Sequence, residues 1–107
     1  MEEKLRKFLD PSDTKERCGL ILKRGRVIEV DNVAENPEKG FEIDAAKLVE
    51  FEDRLVGTWH THPGHGSNLS ERDWFGFMQW PDLRHWIIGA TTISSFIIKD
   101  GIVINGD

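Results

Sequence analysis

His60 and His62 stand two residues apart at the end of the apolar, β-prone run Leu55-Val56-Gly57-Thr58-Trp59. In a strand, side chains at i and i+2 share a face. At about 3.3 Å rise per residue the two imidazoles start roughly 6 to 7 Å apart and can lean toward one point. That spacing suits a single zinc ion. Pro63 removes a backbone donor and ends the strand, and Gly64 and Gly66 let the following loop turn back across the strand's end. Order resumes at Ser70-Glu71-Arg72-Asp73, a helix-start pattern with Ser70 as N-cap and Asp73 on the first turn, followed by Trp74, Phe75, Phe77 and Met78. Two histidines and a carboxylate make a three-ligand zinc set. Such a set leaves a fourth position for water, as catalytic zinc requires and structural zinc does not.

Simpler readings compete. Ser70 and Asp73 alone would be a capping box, and His60 and His62 alone would be polar residues at a strand end. It is their conjunction that favours a metal. Other metal chemistries fail on size or residue type. An amidohydrolase barrel needs a chain of about 250 residues. A thermolysin-type site needs His-Glu-x-x-His, a cupin needs an acidic ligand soon after the second histidine, and a cytidine deaminase needs a cysteine pair. The segment Pro63 to Leu69 contains no acid, and Cys18 is the one cysteine.

His60-Thr61-His62-Pro63, six residues, then Ser70-x-x-Asp73 resembles the signature of the JAMM metalloproteases, also called MPN or JAB domains. That family carries a further glutamate in a Glu-x-Cys-Gly context, and Glu16-Arg17-Cys18-Gly19 matches it, followed by the apolar Leu20-Ile21-Leu22. On bottom-up grounds Glu16 belongs to the charge run Asp13 to Arg17, whose usual fate is solvation. The resemblance implies instead that it is the general base, taking a proton from water and passing it to the leaving amine. It implies further that His60, His62 and Asp73 hold Zn2+, that the Ser70 hydroxyl stabilises charge developing on the substrate oxygen, and that the reaction is hydrolysis of a peptide or isopeptide bond. The partners so implied are protein or peptide substrates, among them ubiquitin-like or sulfur-carrier proteins with glycine-ending tails. Phe41-Glu42-Ile43-Asp44 and the helix after it also resemble the JAMM domains of phage tail-assembly proteins. The alternative within this fold is a noncatalytic scaffold.

These residues need a frame. Leu5, Phe8 and Leu9 predict a short amphipathic helix over 2–9 that caps a sheet. Residues 17–23 and Val27 to Val30 read as a hairpin, Asn32 to Gly40 as a loop, and Phe41 to Ile43 as a short strand. Asp44 caps a helix with Leu48 and Val49 as apolar anchors. Trp86 to Ala90 reads as a buried strand, and Asp100-Gly101 as the turn between two final strands. The order is that of an α/β protein, a single mixed β-sheet with helices packed on it. The resemblance makes it a JAMM or deaminase-like three-layer fold over one domain, 1–107. The stripe at 74 to 80 reads first as core, with four Trp leaving room for an exposed aromatic patch. Cys18 reads as a small buried hydrophobe, His85 as structural, and His65 as a mobile solvated residue.

Composition bounds the rest. With 107 residues, 38% hydrophobic and 31% charged, the chain suits one soluble globular core. A net charge of −5 argues against general nucleic-acid binding, which needs a basic surface. No apolar run is long enough to span a membrane and Met1-Glu2-Glu3-Lys4 does not begin a signal peptide, so a cytoplasmic location is expected. The oligomeric state is left open.

Overall fold

The chain alternates helix and strand much as its periodicity predicts. In the computed structural model, which describes residues 1–106, the elements are α1 (Glu2–Arg6), β1 (Cys18–Leu22), a 3-10 turn (Lys23–Gly25), β2 (Arg26–Val30), α2 (Ala45–Phe51), β3 (Leu55–Thr61), α3 (Glu71–Met78), β4 (Arg84–Ile88), β5 (Ile93–Lys99) and β6 (Ile102–Asn105). The strands form a single mixed sheet in the order β2-β1-β3-β4-β5-β6. Only β3 and β4 run parallel. Parallel neighbours require a crossover, and α3 supplies it. The start of α3 is thereby brought back to the carboxyl end of β3, where a sheet of this kind offers its crevice.

Strand alternation divides the core in two. Ile21, Trp59 and Ile88 face α1 and pack with Leu5, Phe8 and Leu9. Their neighbours of opposite parity, Ile87 and Phe96, pack with Phe77 of α3 and with Leu69. The helices thus lie on both faces. Trp59 anchors the first layer: Phe8 stacks on its ring at 4.2 Å and its Nε1 donates to the Ile28 carbonyl at 3.1 Å. The indole crosses β1 at Gly19, where a Cβ would collide with the Trp59 ring and the Ile28 carbonyl. This is a packing reason for glycine after Cys18. Cys18 itself is buried, and burial pushes its thiol up to about 12, as expected of a small inert hydrophobe. At the other end of the sheet Asp100 (φ 52°) and Gly101 (φ 76°) both adopt left-handed backbone and close the β5–β6 hairpin.

Three local expectations are corrected. Phe41 to Ile43 is not a strand. Its backbone is held instead by loop bonds: the Glu42 amide donates to Asn32 Oδ1 and the Glu42 carbonyl accepts from Val33. Asp44 does cap α2, accepting from the Ala46 amide at 3.0 Å, but Val49 is 70% exposed and only Leu48 of the predicted pair turns inward. Along α3, Phe77 is core while Trp74 and Phe75 are exposed, because a single helix on a sheet buries only one stripe.

Candidate metal centre

His60 lies on the α3 face of β3, fully buried, with Phe41 stacked on its ring at 4.3 Å and Phe77 edge-on at 6.0 Å. His62 follows just past the strand's end, its amide donating to the Ile88 carbonyl at 2.8 Å. The two Nε2 atoms are 3.0 Å apart. Each is also 3.0 Å from an oxygen of Asp73, His60 from Oδ1 and His62 from Oδ2. Ligands around a tetrahedral zinc at about 2.0–2.2 Å stand roughly 3.3 Å from one another. The donor atoms are therefore already gathered to nearly that spacing, and two nitrogens and a carboxylate are a suitable donor set for the ion.

The surroundings orient these donors. His62 Nδ1 is 3.0 Å from the Gly66 carbonyl, which can only accept, so Nδ1 carries a proton and Nε2 is the ring atom that faces Asp73 and would ligate a metal. The loop that supplies this carbonyl is tied at several points. The Ala90 amide donates to the His65 carbonyl at 2.7 Å, and the Ser67 hydroxyl meets those of Thr92 and Ser94 at 2.7 and 2.6 Å. Ser67 is buried and had no signal in the sequence beyond its place among loop residues. The His65 side chain is exposed.

Asp73 reaches the centre because α3 begins where it does. Ser70 caps the helix, its hydroxyl accepting from the Asp73 amide at 3.0 Å, and Asp73 Oδ2 accepts from the Ser70 amide at 3.4 Å. Capping and the histidine contacts coexist on one carboxylate, which has lone pairs enough for both. Burial works to raise its pKa, but the hydrogen bonds and charges of His60 and His62 win and hold it well below the usual carboxylate range. Burial depresses His60 despite the same partner. For His62 burial is outweighed by the hydrogen bond and charge of Asp73, and its pKa rises.

Glu16 arrives from β1. Cys18 pairs with His60 across the antiparallel β1–β3 ladder. The pairing continues beyond the strand: the Thr61 amide donates to the Arg17 carbonyl and the Arg17 amide to Thr61 Oγ1, both at 2.8 Å. One residue further, that register sets Glu16 opposite His62. A carboxylate oxygen of Glu16 and a ring nitrogen of each histidine lie within 4.8 Å of one another, a group able to hold a metal ion. Glu16 Oε1 is buried and has no hydrogen-bond partner among the described residues. Burial, with Asp73's charge adding to it and His62 and Arg72 opposing, raises its pKa to about 7. Arg17 fixes the adjoining backbone, forking onto Glu29 with two 2.8 Å bonds and donating to the Phe8 carbonyl.

The structure thus brings together His60, His62, Asp73 and Glu16, with Ser70 at the rim. A cleft beside Glu16 and His62 is lined by Lys39, His65, Asn68 and Ser70. His85 stands apart from it, stacked on Phe77 at 4.2 Å and bonded to Thr58 Oγ1 and the Trp80 carbonyl. Fold and site together define an α/β domain with a candidate divalent-metal centre. The family model described as prokaryotic homologs of the JAB domain matches residues 1–99, and the chain belongs to that family. Among solved structures, that of protein DSY2949 from Desulfitobacterium hafniense is similar, with a TM-score of 0.74 and 23% identity over 99% of this chain and 85% of that one. At that identity the likeness concerns fold alone. No curated protein matches the sequence.

Proposed function

We propose that this JAB-family chain is a zinc-dependent hydrolase of peptide or isopeptide bonds. The observation that carries the reading is the meeting of His60 Nε2, His62 Nε2 and the Asp73 carboxylate at 3.0 Å contacts, with Glu16 beside them, its buried Oε1 without a hydrogen bond among the described residues. A bound zinc would supply an activated water and a polarised substrate carbonyl. His60, His62 and Asp73 would hold it, and Phe41 and Phe77 keep bulk water from the His60 side of the site. Glu16 takes the water's proton and delivers it to the leaving amine, a task suited to a buried carboxylate oxygen with no hydrogen-bond partner among the described residues, set beside the two histidines. Ser70, whose oxygen already accepts from Asp73, has its hydroxyl proton free to donate to the oxygen that becomes negative.

The substrate proposed is a glycine-ending tail of a ubiquitin-like or sulfur-carrier protein, entering by the cleft beside Glu16 and His62; a role in phage tail assembly would use the same chemistry. No helix among the described residues is long and apolar enough to cross a membrane, and we place the protein in the cytoplasm. A second reading, a noncatalytic partner-binding scaffold, is favoured by the exposure of Trp74, Phe75 and Trp80.

The test is zinc titration of chelated protein followed by mass spectrometry of a fusion in which a ubiquitin-like protein's glycine tail is joined to a peptide. Wild type should bind about one zinc tightly, and Asp73→Ala should weaken binding strongly. Glu16→Ala should keep the metal and lose cleavage. Zinc binding that is absent, or indifferent to Asp73, would sink the hydrolase reading and leave the scaffold.

A further inference from the structure

The side chain of Asn32 touches both sides of the site without entering it. Its Nδ2 donates to the Glu16 carbonyl at 2.9 Å and to the Gly40 carbonyl at 3.0 Å. Its Oδ1 accepts from the amides of Ala34 at 3.0 Å and Glu42 at 3.1 Å. Both amide protons and both lone pairs are in use. Around this hub the Glu16 amide donates to the Pro37 carbonyl at 2.8 Å and the Val33 amide to the Glu42 carbonyl at 2.9 Å. The segment from Asn32 to Glu42 is therefore laced to the backbone of Glu16.

The far end of that segment rests on the candidate metal centre. Phe41 stacks on the His60 ring, and Gly40 lies against Arg72, where a Cβ would come within 2.6 Å of Nε. One amide side chain thus joins the backbone of the base to the residues that flank a metal-binding histidine. The link matters because Glu16 Oε1 has no hydrogen bond of its own. With no partner there, the carboxylate's position depends on where its backbone is held.

We propose that Asn32 is a positioning residue: it sets the Glu16 carboxylate against His60 and His62, and through Gly40 and Glu42 keeps Phe41 on the His60 ring. Its kinetic consequence rests on the hydrolase reading; its structural consequence does not. A base displaced by an ångström costs on the order of a hundredfold in rate, so the effect belongs in kcat while KM and zinc stoichiometry hold.

The experiment compares wild type, Asn32→Ala and Asn32→Asp, all zinc-loaded, by amide hydrogen exchange, the His60 ring-proton shifts, zinc binding in chelator competition, and cleavage of the glycine-tail fusion. In Asn32→Ala the Glu16, Ala34 and Glu42 amides should exchange at least about tenfold faster, while the Thr61 and Gly89 amides keep their protection. The His60 ring signals should move as Phe41 loosens, and kcat should fall with KM nearly unchanged. Asn32→Asp guards against a variant that does not fold. It keeps the acceptor for Ala34 and Glu42 but has no proton for the Glu16 and Gly40 carbonyls, so the Glu16 amide, bonded to the Pro37 carbonyl, should lose protection as that backbone loosens while Ala34 and Glu42 keep theirs, again with kcat reduced. Unchanged Glu16 exchange in both variants overturns the proposal. So does a uniform rise at every amide with lowered melting temperature, which would make Asn32 merely structural, and so does an intact kcat beside a cleaving wild type. If wild type cleaves nothing, the hydrolase reading fails by itself, and Asn32 is judged on Glu16 exchange and the His60 ring alone.

Discussion

Both oxygens of Asp73 are engaged before any ligand is considered, Oδ1 with His60 and Oδ2 with His62 and the Ser70 amide. The helix cap and the candidate metal centre are therefore one structure, and Ser70 serves both. Its two roles separate by substitution. Ser70→Ala removes the acceptor for the Asp73 amide and should cost about 1 kcal/mol of stability, along with most of the cleavage. Ser70→Asn restores a good N-cap, so urea denaturation should show stability regained while cleavage stays low. Recovery of both would reduce Ser70 to a cap, and loss of neither would remove it from the site. At this scale the histidines and Asp73 were legible in the sequence because local chemistry places them: a strand's parity for the pair, a cap pattern for the acid. Glu16 was not, except by family resemblance. It lies in another segment, and only the pairing of Cys18 with His60 brings it opposite His62.

At the scale of elements, β4 is fastened to β3 and α3 through His85. Its Nε2 faces the Trp80 carbonyl and must carry a proton, so Nδ1 accepts from the Thr58 hydroxyl. Burial, with a smaller contribution from His60, lowers its pKa to about 4 from an ordinary 6.5. Above the ordinary value both folded and unfolded chains are neutral at this residue and its stabilising bonds are intact. As pH falls from about 6.5 to about 4, the unfolded chain takes up a proton that the folded one refuses, and stability drops. Between pH 7.5 and 5 the loss should be about 2 kcal/mol. Urea denaturation at the two pH values, with chelator present, should show His85→Gln losing that much of the wild-type pH dependence; equal slopes would exclude His85 as the cause. Elements built from local signals were readable, such as α3 with its cap and the Asp100-Gly101 hairpin. Phe41 to Ile43 misled because its alternation suits a strand, whereas the Asn32 side chain takes the amide that a ladder would use. Val49 misled because α2 turns Leu48 toward the groove beside α3 and leaves Val49 on its outer side.

For the whole molecule, the question is whether metal binding stabilises one loop or the entire fold. Glu16 precedes β1, His60 and His62 end β3, and Asp73 opens the crossover to β4. These strands are the middle of the sheet, with β2 on one side and β5 and β6 on the other. An ion held by β3 and α3 therefore ties the crossover to the central strands, so its binding energy is linked to their pairing. Zinc at a hundred times its dissociation constant should then add about 2.7 kcal/mol to the global transition. For a domain near 100 residues each kilocalorie moves the melting temperature by roughly 4 to 8 °C, so calorimetry should show a single transition displaced upward by about 10 to 20 °C on going from chelator to zinc. His62→Ala should melt at nearly the same temperature in both. A wild-type transition that splits in two with zinc would mean that the centre stabilises only α3 and its loop, and a shift retained in His62→Ala would place the ion elsewhere.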